Sequence, residues 1–226
     1  MEANKFEQQI DNQLKRFENA VGEEIFVRDG IVNVAEYLKA PIKVLWILKE
    51  ANSPKNELDD MRPCLATLYD SDTDKIHSDW VKTWRPIARC VYGIFENKNF
   101  ATIENVEENE SGILKHIKKI AHINVKKCAG GASAVSKEIQ NFYIKHKSLL
   151  HEQIEIINPD IMIFGGTFGY FADYFENKEK VQESIPVYKF KNKLLIDIYH
   201  PNNRTMKQEI YCDSIINAVK NWKQKQ

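Results

Sequence analysis

The sequence predicts an α/β protein: a three-layer α/β/α sandwich with a central, mainly parallel four-stranded sheet. Three observations carry that expectation. Four short apolar runs, rich in β-branched residues, stand apart from longer stretches of helical periodicity. Three of the four are nearly unbroken, as strands buried on both faces are. Strand and helix then alternate along the chain, the order that gives parallel strands with helices on both sides.

The first helix is expected near 4–20, where Phe6, Ile10, Leu14, Phe17 and Val21 form one apolar stripe and Gly22 follows. Ile42–Leu48 is the first strand. A long insertion, about 54–115, comes next. It opens on polar residues (Asn52 to Asn56, then Leu58, Asp59 and Asp60) and closes on an acidic group (Glu104, Glu107, Glu108, Glu110), both read as solvated loop. Between them Trp80, Trp84, Ile87, Ala88, Val91, Tyr92 and Phe95 share a helical face. The second strand lies within 117–125, centred on Ile120–Ile123. A helix follows on Val135, Ile139, Phe142, Tyr143, His146, Leu149 and Leu150. Ile161–Phe164 is the third strand and Leu194–Tyr199 the fourth, with Ile185–Phe190 pairing to it as a hairpin turned at Asn192. A last helix covers about 209–222.

One domain of 226 residues is expected, long enough to bury a sizeable core. Its 32 basic and 32 acidic side chains cancel, which excludes a globally basic nucleic-acid coat but not a local basic groove. No apolar run reaches about 18 residues, so no membrane partner is expected. The first residues do not read as a secretion signal. The scattered cysteines Cys64, Cys90, Cys128 and Cys212 therefore read as reduced thiols in a cytoplasmic protein. The histidines show no metal-ligand spacing.

In an open α/β sheet, ligands sit just beyond the carboxyl ends of the strands. Those ends carry Glu50 and Asn52, then Asn124 with Lys126 and Lys127, then Gly165 and Gly166, then His200 and Asn202. A carboxylate, amides, glycines for close backbone approach and a histidine make a plausible reactive set. Each also has a plain structural use: Glu50 near a helix start, Asn124 as a loop cap, the glycines as a tight turn, and His200 held extended by Pro201. The Gly-Gly-x-x-Gly run lacks the spacing and position of a dinucleotide fingerprint.

The order of these motifs resembles the uracil-DNA glycosylase superfamily, most closely its thermostable iron–sulfur class, over about 42–54, 117–177 and 186–204. The family's Gly-Glu-Ala-Pro-Gly stands here as Lys49-Glu50-Ala51-Asn52-Ser53. Its Asn-Val-Val-Lys-Cys stands as Asn124-Val125-Lys126-Lys127-Cys128, with Glu138-Ile139 opening the next helix. Its His-Pro-Ser stands as His200-Pro201-Asn202. The resemblance implies that Glu50 positions the attacking water, Asn124 selects the base, and His200 stabilises charge on the departing base. It also implies a wedge after His200, at Arg204 or Met206.

The departures imply changes. No cysteine precedes Cys64, so no iron–sulfur cluster, and no other cofactor, is expected. Pro63-Cys64 falls where the family stacks a phenylalanine on the base, leaving Tyr69, Trp80 or Trp84 as substitutes. Lys126, Lys127, Lys191, Lys193, Arg204 and Arg85 are candidates for phosphate contact, with solvated surface as the competing reading. The expected partner is DNA, single- or double-stranded, or a free nucleobase or nucleotide. The expected activity is hydrolysis of an N-glycosidic bond; the alternative is a non-catalytic member of the superfamily that binds without cutting.

Overall fold

The first helix, α1 (Glu2–Val21), forms where the apolar stripe lies. Ile10, Leu14 and Phe17 on that stripe are buried, each contributing about 1.5–3 kcal/mol. The structure, a computed structural model, describes residues 2–22, 25–52, 59–70, 75–76, 80–103, 110–131, 133–182 and 184–225. The rest of the chain follows as β1 (Gly30–Ile31), α2 (Val34–Lys39), β2 (Val44–Leu48), α3 (Met61–Ala66), β3 (Tyr69–Asp70), β4 (Lys75–Ile76), α4 (Val81–Glu96) and α5 (Glu110–Leu114). Then come β5 (Ala121–Asn124), α6 (Ser136–Ile157), β6 (Ile161–Gly165), β7 (Glu179–Gln182), β8 (Val187–Phe190), β9 (Lys193–Ile198) and α7 (Gln208–Lys223).

The main sheet has seven strands in the order β1-β5-β2-β6-β9-β8-β7. This corrects the expected count of four. The four expected strands are its contiguous parallel centre, β5-β2-β6-β9. Antiparallel β1 flanks them on one side, and β8 and β7 on the other. The 187–198 hairpin turns on Lys191 and Asn192, and Lys191 takes the left-handed conformation at φ +56°. β3 and β4 form a separate two-stranded ribbon.

Strand alternation sorts the core into two layers. Val44, Trp46 and Leu48 face one side, packed with Ile87 and Val91 of α4 and with Ile215 and Ile216 of α7. Leu45 and Ile47 face the other, with Leu14 and Phe17 of α1 and with Ile139, Tyr143 and Leu150 of α6. Helices thus cover both faces of the sheet. No described helix is long and apolar enough to cross a membrane.

The polar opening of the insertion is only in part what the sequence suggested. Residues 53–58 and 104–109 lie outside the described residues. Asp60, by contrast, caps α3: its carboxylate accepts from the backbone N–H of Arg62 at 2.8 Å and pairs with the Arg62 guanidinium at 2.7 Å. Asp59 and Met61 exchange backbone hydrogen bonds with Arg28, tying this segment to the strand side of the molecule.

Candidate functional site at the carboxyl edge of the sheet

Because β5, β2, β6 and β9 are neighbours and parallel, their carboxyl ends place Asn124, Glu50, Gly165–Gly166 and His200 on one edge, in that order. The β2–β5 ladder continues beyond the strands. Backbone N–H groups of Val125, Lys126 and Gly130 donate to the carbonyls of Leu48, Lys49 and Ala51 at 2.9, 2.8 and 2.8 Å. This zipper lays residues 125–130 along Glu50.

The Glu50 side chain is only 6% exposed. Its buried Oε2 lies 3.1 Å from the Lys126 ammonium, a charge-assisted contact. Lys126 also reaches Glu138 Oε2 at 3.0 Å, so one ammonium bridges two carboxylates. Both carboxylates and this geometry hold its pKa above the usual lysine value, against the opposing effect of burial. Gly130 packs flat on the Glu50 carboxylate: a Cβ there would fall 2.2 Å from Glu50 Cδ. A larger residue at 130 would have to displace the carboxylate from this position.

His200 follows β9. The backbone N–H of Asn202 donates to its Nδ1 at 3.1 Å, so the neutral ring carries its proton on Nε2. Burial, and then the nearby Lys49 charge, push its pKa down to about 4. The imidazole is therefore a neutral hydrogen-bond donor across the physiological range.

The two glycines between Glu50 and His200 are packing and turn positions. A Cβ on Gly165 would meet Leu48 Cδ2 at 2.5 Å and Pro201 Cδ at 3.2 Å. Gly166 has φ +71° and donates its N–H to Ile198 O at 2.7 Å, locking the end of β6 to β9. A Cβ on Gly166 would stand 3.6 Å from the His200 backbone N and 3.9 Å from Lys49 Cε.

Asn124 is buried. Its backbone N–H donates to Asp29 Oδ2 at 2.7 Å, and its Nδ2 donates to Met61 Sδ at 3.2 Å, a weak acceptor. Lys127 corrects an expectation. Instead of facing phosphate it is 0% exposed, its ammonium 2.6 Å from Asp29 Oδ1. Gln153 Nε2 also donates to Asp29 Oδ1, at 3.0 Å. Successive residues leave the end of β5 on opposite sides. Lys126 goes to Glu50, and Lys127 goes under α1, 5.6 Å from the Phe17 ring. Burial lowers the Lys127 pKa, and Asp29 opposes that shift.

Of the remaining candidates, Asn52, Asn202 and Arg204 are exposed. Asn52 pairs with Gly130 on the same edge. The loop after His200 is a fixed turn, because Asn203 Oδ1 accepts from the N–H groups of Thr205 and Met206 at 3.1 and 2.7 Å. Arg85 is half-buried on α4. Lys191 and Lys193 stand at the amino edge of the sheet, where β9 begins, and so leave the carboxyl-edge rim. Trp84 is buried edge-on against His122, ring centroids 5.0 Å apart, and Trp80 packs 6.2 Å from Trp84. The Tyr69 side chain lies outside the described residues. All four cysteines are free thiols.

No protein-family model matches the chain, and no curated protein matches it. The geometry of this edge adds four residues that the motifs do not single out: Lys49, Gly130, Asp29 and His122. Gly130-Gly131 after Cys128 was the one visible signal, a glycine pair just beyond a strand end. Asp29 gave none, since its role depends on three partners between 95 and 124 residues away.

Proposed function

We propose that this protein is uracil-DNA-glycosylase-like, hydrolysing the N-glycosidic bond of uracil or another modified base in DNA. The observation that supports this reading is Glu50, a carboxylate only 6% exposed, held at the carboxyl edge of the sheet with Oε2 3.1 Å from the Lys126 ammonium. Carboxylates are seldom buried to this degree, and then with a partner. Orienting a water against C1′ of a sugar gives this one a use.

In this scheme the water attacks C1′, the C1′–N bond breaks, and its electron pair leaves with the base. Glu50 takes the proton from the water. Nε2–H of His200 donates to the base oxygen where negative charge grows; a neutral donor serves here because the stabilisation is electrostatic. Asn124 reads the amide edge of the base by giving up its weak contact with Met61 Sδ. The base must first leave the stack, at a cost of a few kcal/mol, and Arg204 is the exposed cation nearest in sequence to assist.

One observation favours the alternative of binding without cutting. The Lys126 ammonium already occupies one side of Glu50 Oε2, and a ligand's polar groups could take the place of the water there. Labelled single- and double-stranded oligonucleotides with one uracil separate the two readings. Strand breaks after alkali, absent in Glu50→Gln and in His200→Ala, support the glycosylase. Intact strands with tight, His200-dependent binding support the second reading. Neither cleavage nor binding removes both.

A further inference from the structure

We infer that the opposite, amino-terminal edge of the sheet carries a second binding site, for a nucleoside polyphosphate. A groove of about 860 Å³ lies there between the β7–β8–β9 edge and the last turns of α7. That volume is within the ordinary range for small-molecule sites.

Its chemistry is divided. Ile42, Val187 and Leu194 form an apolar floor, and the half-buried Trp222 ring stands at one side. Val181, on the β7 wall, is 44% exposed. Lys189, Lys191, Lys223 and Lys225 line the same groove, with Asp160 as the one acidic residue among those lining it. A chain of zero net charge thus concentrates cations at one concave place.

These ammonium groups are uncommitted, and their neighbours show the contrast. Lys193 and Lys43, at the same edge, spend theirs on oxygen atoms. Lys193 reaches Asn158 Oδ1 and Pro159 O at 2.8 and 2.6 Å, and Lys43 reaches Leu38 O and Ala40 O at 2.9 and 2.6 Å. Among the described residues, Lys189, Lys223 and Lys225 make no ion pair, and Lys191 rests over the Phe190 ring at 5.3 Å. Burial without a counter-ion holds the Lys223 pKa below the usual lysine value. Asp160 already accepts from the Lys43 backbone N–H at 2.7 Å. The carboxyl end of the α7 dipole opposes an anion by about half a charge, which four lysines outweigh.

Solvated lysines on a turn and a helix end are the ordinary reading of such residues. It leaves unexplained why they share one cavity with a half-buried aromatic ring and an apolar bed. A flat, apolar ring carrying several negative charges satisfies all three features. The amides of Gln182, Asn192 and Asn221 on the groove walls supply donors and acceptors for the edge of a base.

The test is calorimetric titration of the full chain with ATP, GTP, CTP and UTP. Adenosine, tripolyphosphate and a short single-stranded oligonucleotide serve as comparison ligands. At least one nucleotide is expected to bind saturably, ten-fold or more tighter than adenosine or tripolyphosphate. Lys189→Glu/Lys223→Glu and Trp222→Leu, each checked for native circular dichroism, are expected to weaken that binding at least ten-fold, and Glu50→Gln to leave it unchanged. Several results would overturn the inference: no nucleotide binding, tripolyphosphate or adenosine binding as tightly as the best nucleotide, or the oligonucleotide binding more tightly per phosphate. Insensitivity to the lysine and tryptophan variants would do the same, as would loss of binding in Glu50→Gln, which would place the ligand at the other edge.

Discussion

At the scale of single residues, the site rests on contacts with little slack. Gly130 is the clearest case, because a Cβ there would fall 2.2 Å from Glu50 Cδ. Gly130→Ala is expected to push that carboxylate out of line, lowering any Glu50-dependent activity ten-fold or more. The unfolding midpoint should move by far less than in a core truncation. Equal activity in Gly130→Ala and wild type would remove Glu50 from the chemistry. Which residues stand at the strand ends was legible in the sequence; how they are held was not. Glu50, Asn124 and His200 follow from locating four apolar runs. The Lys126 bridge and the Nε2–H tautomer of His200 depend on a side chain and a backbone N–H whose directions only the fold sets.

At the scale of elements, the same limit recurs. The four parallel strands and the helices α1, α4, α6 and α7 carry strong periodicity and could be read. β1 has two residues, and β7 (Glu-Lys-Val-Gln) is mostly polar and exposed, so neither carries an apolar run. Lys127 shows the cost of reading charge as surface. It joins the end of β5 to the segment before β1 through Asp29, beneath α1, in a pair that is 0% and 1% exposed. Breaking a buried pair from one side strands the other charge. Lys127→Met is expected to cost about 3–5 kcal/mol in urea unfolding, because Asp29 stays buried with only neutral donors. Replacing both partners, as in Asp29→Leu/Lys127→Met, is expected to recover much of that loss. A single variant as stable as wild type would show that Asp29 tolerates burial on hydrogen bonds alone.

At the scale of the whole molecule, the buried His122 and the half-buried His200 tie folding to pH. Burial lowers the pKa of His122 to about 3 and that of His200 to about 4. In the unfolded chain both titrate near 6.5. Between pH 6.5 and 4 the unfolded state therefore binds protons that the folded state refuses. Stability is complete above about pH 6.5 and falls as the pH drops, by at most about 2.7 kcal/mol per pH unit for the two groups together. Urea midpoints at pH 7, 5.5 and 4.5 should decline in that order; a flat series would mean that neither ring resists protonation in the folded state.

The proposed chemistry needs Glu50 and His200 together, on the one edge to which the β5-β2-β6-β9 order brings them. Single-turnover release of free uracil from a uracil-containing oligonucleotide, with the protein in excess, decides it. Wild type should release the base, Glu50→Gln should be slower by about 10²–10³-fold, as loss of a group aimed at transition-state charge predicts, and circular dichroism should show the variant folded. Release at the wild-type rate by Glu50→Gln, or no release by wild type, would contradict the claim.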